Sequence, residues 1–197
     1  MNKGVLLSSV LMIGMLAWQT VSADSARDET NLLSSDIFET HATGVLDRPW
    51  RASQHSSHPS YNFGVEDGVV TIERYDFEPW GQISQRIDAR PFAGKTLEFS
   101  AELAGEFNLE FGEEFEPTGL GVVLHGVHED PRYRMMGSMI LKTPNAALGA
   151  TEGVYDWTPL SVSFEVPENA TTMDISVLMA LGGKLKARNP RLRLVSE

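Results

Sequence analysis

The chain has 197 residues, with 27 acidic against 16 basic side chains, a formal charge of −11, and no cysteine. That charge argues against partners that need a basic surface, nucleic acid and anionic lipid among them, and is compatible with neutral sugars, cationic partners and divalent cations. The missing cysteines exclude disulfides and thiol nucleophiles, so stability must come from core packing or a metal.

Residues 1–23 read as a bacterial-type secretory signal. Lys3 supplies a positive start, Val5 to Trp18 is an apolar core too short for a comfortable membrane span, and Val21-Ser22-Ala23 is a small-residue cleavage site. Cleavage there removes one positive charge, Lys3, and takes the formal charge from −11 to −12. No Cys follows the apolar core, which excludes a lipid anchor, and no later stretch is long and apolar enough to span a bilayer. The chain is therefore expected to be exported, to the periplasm or outside the cell, with residues 24–30 as a flexible leader and residues 31–197 as one domain.

Asn31-Leu32-Leu33 opens that domain, Phe38-Glu39 follows, and a polar stretch runs to Trp50. His55 to Ser60 has the composition of a loop. Glu66-Asp67-Gly68 is a hairpin signal between Tyr61–Val65 and Val69–Tyr75. Gly81 to Asp88 reads as a strand with Ile83, Gln85 and Ile87 on one face. After a turn at Pro91-Phe92-Ala93-Gly94, Lys95 to Leu103 alternates, with Leu97, Phe99, Ala101 and Leu103 inward.

Glu106 to Glu116 interrupts the pattern. Five Glu are interleaved with Phe107, Phe111 and Phe115, and Gly112 and the crowded charge disfavour a helix, which leaves an acidic loop pinned by its Phe side chains. Gly119 to Val127 is apolar on both faces and therefore a central strand. Met135 to Leu141 is another strand, and Thr143 to Gly153 a long connection. Leu160, Val162, Phe164 and Val166 alternate up to Pro167. Met173 to Leu181 alternates again, and Gly182-Gly183 turns into a last strand, Lys184 to Val195. Many short strands separated by Gly, Pro and Asn/Asp turns predict a single all-β domain, an antiparallel two-sheet sandwich or jelly roll.

Four blocks, in order, resemble carbohydrate-binding modules of the family 4/9 type. They are Asn31-Leu32-Leu33…Phe38-Glu39…Trp50; Trp80-Gly81…Gln85-Arg86-Ile87 with Phe92-Ala93-Gly94-Lys95; Tyr155-Asp156-Trp157-Thr158…Val166-Pro167-Glu168-Asn169-Ala170; and Asn189-Pro190-Arg191-Leu192. The resemblance implies a galactose-binding-domain-like jelly roll that holds a glycan on a concave sheet face. It also implies a structural calcium bound by a carboxylate near the Phe-Glu opening, which Glu39 supplies, and by an Asp in the last strand. Arg188 stands where that Asp is expected. A guanidinium in place of a ligand should abolish the site, so no metal is expected, and Arg188 is a candidate partner for Glu39.

Sugar binders stack pyranose rings on aromatics and fix hydroxyls with a few polar groups. Trp80, Gln85, His125, Tyr133 and Arg134 are the candidate ligand-binding residues on that basis. Gln85 has an equally good alternative in satisfying a backbone group in the core. Trp157, which opens an alternating strand, is expected in the core. His125-Gly126-Val127-His128-Glu129-Asp130 is rich in ligating types but matches no zinc spacing, and residues three apart on a strand face opposite ways. No nucleophile elbow, phosphate loop or carboxylate pair in an apolar setting marks an enzyme. Two readings follow: a non-catalytic module binding neutral oligo- or polysaccharide, and a structural or protein-interaction module whose acidic loop, 106–116, meets a basic partner.

Overall fold

The computed structural model describes residues 31–35, 38, 46, 48–111, 118–128, 130, 138–141, 147–149 and 152–196. The expected signal, the leader, Glu39, Tyr133 and Arg134 lie outside them. Among the described residues no helix is long and apolar enough to cross a membrane.

The strands are β1 (Trp50–Gln54), β2 (Tyr61–Glu66), β3 (Val69–Arg74), β4 (Gly81–Asp88), β5 (Thr96–Asn108), β6 (Thr118–His125), β7 (Ser138–Leu141), β8 (Ala147–Gly149), β9 (Gly153–Glu165), β10 (Thr172–Met179) and β11 (Gly182–Ser196). They form two antiparallel sheets. The first runs β1-β4-β10-β6, with β7 and β8 both on the far edge of β6; the second runs β2-β3-β11-β5-β9.

Alternation in the sequence becomes the core. Ile83, Val122, Leu124, Met173, Ile175, Val177 and Met179 from the first sheet face Leu97, Phe99, Leu103, Val162, Phe164, Leu185, Ala187 and Leu192 from the second, all buried. Each large apolar side chain so removed from water stabilises the fold by about 1.5–3 kcal/mol. The β2–β3 hairpin turns on Asp67 and Gly68, with φ of 50° and 75°. Two consecutive left-handed residues make the turn whose twist suits a two-residue hairpin, and Asp-Gly is among the best sequences for it. The Asn31-Leu32-Leu33 opening is tied to the last strand: Leu32 N–H donates to Leu192 O (2.7 Å), and Asn31 Oδ1 accepts from Leu192 N–H (2.9 Å).

Three local expectations are corrected. Glu106 to Asn108 continues β5 instead of starting a loop, because Phe107 faces inward and is 4% exposed. The connection after Thr143 holds β8, and β9 begins at Gly153, seven residues before the alternation becomes regular. Trp157 is half-buried on the outer face and not in the core. The register explains it: Leu103 pairs with Thr158 but Gly105 with Tyr155, so Asp156 and Trp157 together oppose Ala104 in a bulge. One extra residue there breaks the alternation on which the core assignment rested. A second bulge lies beside it in β11, between Arg188 and Arg191, where Asn189 has φ of 53°.

Candidate functional site

The first sheet has an inner face toward the core and an outer face toward solvent. Along β4, Ile83 and Gln85 point inward, so Gln82, Ser84 and Arg86 point outward. The register sets the transverse rows of the outer face. Ser84 lies beside Arg51 and Ser176; Arg86 lies beside Asp174, which lies beside Val123; Asp88 and His125 flank Thr172.

Asp174 is the centre of this face. Its carboxylate accepts from Arg86 Nε (2.7 Å) and Nη2 (2.6 Å), and from His125 Nε2 (2.8 Å). An ionised carboxylate can only accept, so Nε2 of His125 carries the hydrogen, and Nδ1 is the acceptor in the neutral ring. Partial burial pushes the Asp174 carboxyl up, but the bonds from Arg86 and His125 outweigh it and hold the group below the usual carboxylate range. The side chains of Arg86 and His125 are 58% and 31% exposed, so the trio is held rigidly and still reaches solvent.

The other end of the face carries Trp80. It lies just before β4 and meets His55, the residue that follows β1, edge-on, with ring centroids 5.9 Å apart. The backbone continues the ladder there, His55 N–H donating to Trp80 O (3.0 Å). Glu78 fixes this corner. Its nearly buried carboxylate accepts from Ser56 Oγ (2.6 Å) and His55 Nδ1 (2.8 Å), and the Ser56 bond chiefly holds it below the ordinary glutamate range. Gly81 is required in turn: a Cβ there would lie 2.6 Å from the Tyr61 ring, whose hydroxyl donates to Glu78 O. Between Trp80 and Arg86, roughly 20 Å at ~3.3 Å per residue, the open surface is low and polar, formed by Ser53, Gln82, Ser84 and Arg51. Toward β6, Ser176 and Leu178 are buried, so the open part is the β1–β4 half together with the His125 end.

The candidates of the sequence thus separate. Trp80 and His125 share one face but sit near opposite ends of it. Gln85 faces inward and is fully buried: its Oε1 accepts from Ser34 N–H (2.7 Å) and its Nε2 donates to Ser35 O (3.2 Å). Its amide clamps the 31–35 segment and cannot meet a ligand on the face that carries His125. Arg86 and Asp174 were missed, since a lone Arg and a lone Asp in alternating strands read as ordinary solvent-facing residues; only the register, 88 residues apart, joins them. Arg188 is committed to Glu102, through Nε (2.9 Å) and Nη2 (2.7 Å), whereas Glu39 lies outside the described residues. Among the described residues no group of three or more His, Cys, Asp or Glu could hold a metal ion.

No family model matches the sequence, and no curated protein does. Among solved structures, the enzymatically active domain of tailspike protein 4 of bacteriophage CBA120 aligns with a TM-score of 0.48 at 14% identity, over 74% of this chain and 19% of that one. A structure of the carbohydrate-binding module CBM4 aligns with a TM-score of 0.44 at 18% identity, over 74% of this chain and 86% of that one. The family 29 carbohydrate-binding module CBM29_1 of Piromyces equi aligns with a TM-score of 0.42 at 16% identity, over 82% and 89%. The chain spans about a fifth of the tailspike domain and most of the two modules.

Proposed function

We propose that this protein is an exported, non-catalytic binding module that holds a neutral oligo- or polysaccharide along the outer face of the first sheet. The observation that carries the reading is the pairing, on one polar face, of a partly exposed Trp80 with the Arg86–Asp174–His125 trio. An indole offers the apolar face of a sugar ring a surface to stack on. A guanidinium and an imidazole already oriented by a carboxylate offer hydroxyls donors and acceptors that need no further ordering on binding. Ser84 and Gln82 add neutral groups between the two ends. Tyr133 and Arg134 belong to the same proposal: the connection that carries them leaves β6 at His125 and returns at Ser138, the residue opposite His125.

Calorimetry of the purified protein against β-glucan, xylan and galactan oligosaccharides tests the reading. Weak binding is expected, insensitive to salt because no ion pair forms with a neutral ligand. Trp80→Ala should weaken it roughly tenfold, the equivalent of a stacking contact of about 1.5 kcal/mol. Arg86→Ala should weaken it as well, with little change in melting midpoint for so exposed a side chain. Absence of heat with all three classes of oligosaccharide would refute the proposal.

A further inference from the structure

We infer that the Phe77–His58 pair, at the end of the sandwich beyond Trp80, docks an arginine-bearing segment of a partner protein. Phe77 is 62% exposed and Tyr75 46%, the first being a large apolar ring held largely in water. The ring is not loosely tethered. It stacks on the His58 imidazole at 4.5 Å and 20°, and His58 Nε2 donates to Asp76 Oδ2 (3.1 Å), while Asp76 Oδ1 accepts from Phe77 N–H (2.8 Å).

The loop beneath is anchored by Arg74, which is 3% exposed and donates to three carbonyls: Asp76 (3.1 Å), Phe77 (3.0 Å) and Ala180 (2.7 Å). Phe111, in the connection leaving β5, lies under the same guanidinium, 4.9 Å from ring centroid to Cζ. A buried arginine spent wholly on loop carbonyls fixes the presentation of Phe77; it is not available to a ligand.

The charge around this end names the occupant. The three described stretches that meet there, 55–60, 75–80 and 109–111, contain no Lys or Arg and carry Asp76, Glu78 and Glu110. With one face of Phe77 covered by His58, the other is free for a cation. An aromatic face beside a carboxylate suits a guanidinium better than an ammonium, because the planar fork stacks on the ring while its N–H groups reach the acid. This surface adjoins the proposed sugar-binding face at Trp80 but rests on Phe77, His58 and Asp76, which take no part in that face, and the inference stands whether or not a sugar binds there.

Titration of the purified protein with a hexa-arginine peptide is the test, run beside an oligomer of free-amine glucosamine. The peptide should bind, more weakly in about 300 mM salt than in about 50 mM as screened ion pairs require. Phe77→Ala should reduce its affinity at least about fivefold, the effect of one lost cation–π contact, and Asp76→Asn should reduce it too. Trp80→Ala and Arg86→Ala should leave it unchanged. The inference is overturned by no binding in low salt, by equal binding in Phe77→Ala, which would indicate diffuse charge alone, or by tighter binding of the glucosamine oligomer than of the peptide.

Discussion

Arg188 lays its guanidinium over the indole of Trp157, with Cζ 4.1 Å from the ring centroid. The contact joins the β9 bulge at Asp156 and Trp157 to the β11 bulge that begins at Arg188. Glu102 completes it, accepting from Arg188 with one oxygen and from Asn189 Nδ2 (2.8 Å) with the other; those bonds, Asn189 first, hold its carboxyl below the usual glutamate range.

The first prediction follows from that geometry. Because Trp157 is outside the core, Trp157→Ala should cost about 1–2 kcal/mol, well under the ~3–5 kcal/mol of a buried tryptophan. A double-mutant cycle with Arg188→Ala should return a coupling of about 0.5–1 kcal/mol. Denaturant melts of the four proteins give the value, and strictly additive losses would mean that the stacked pair contributes nothing.

The same residue bears on calcium. A fixed guanidinium at the position where the resemblance drawn from the sequence implies a carboxylate should repel a divalent ion. Melting midpoints in EDTA and in millimolar calcium should coincide. A rise of several degrees with calcium would show that oxygen ligands elsewhere suffice.

Gln85 supplies a third prediction. Gln85→Leu keeps the volume roughly but strips partners from Ser34 N–H and Ser35 O, and should destabilise the protein by about 1–3 kcal/mol. Hydrogen exchange at residues 31–35 should accelerate more than exchange in β5. Oligosaccharide binding, corrected for the unfolded fraction, should not change; a specific loss of binding would return Gln85 to the ligand surface.

These cases show what the sequence made legible. Period-two alternation located the strands and their inner faces, because burial of one face is written into every second residue. Asp67-Gly68 announced its hairpin through backbone chemistry alone. Trp157 went astray because a bulge adds one residue without any compositional mark, and the alternation read backward from Leu160 then points the wrong way. The Asp174 trio was illegible for another reason. Its members lie on strands β4, β10 and β6, whose order is a property of the topology, and no local pattern says that residues 86, 125 and 174 will share one patch. His125 was found only because imidazole is an uncommon residue type.

A fourth prediction concerns pH. Asp174 has a folded pKa below its unfolded value of about 3.9. Its contribution to stability is therefore complete above about pH 4 and is lost as the pH falls through the lower folded value. Asp174→Asn should show a shallower loss of stability than the parent between about pH 4 and pH 2. Parallel curves would indicate that the trio does not hold the carboxyl down.

The last prediction concerns Gly81. Gly81→Ala drives a methyl group into the Tyr61 ring, which is pinned through its hydroxyl to Glu78 O. Overpacking of this kind should cost about 1–3 kcal/mol and displace Trp80, so oligosaccharide affinity and melting midpoint should fall together. An unaltered midpoint would mean that the ring moves aside freely.

Among the described residues β9 is an edge strand, and that position has one more consequence. An exposed strand of 13 residues is long enough to template another chain, and such edges are where soluble β proteins begin to form fibres. Two features of β9 work against this. Pro159 has no N–H to offer a newcomer, and the Asp156–Trp157 bulge bends the strand away from the straight line that stacking of copies needs. The residues that make this stretch awkward to read are thus the ones that oppose pairing with another chain, and a variant straightened at both points should assemble more readily into insoluble, strand-paired aggregates.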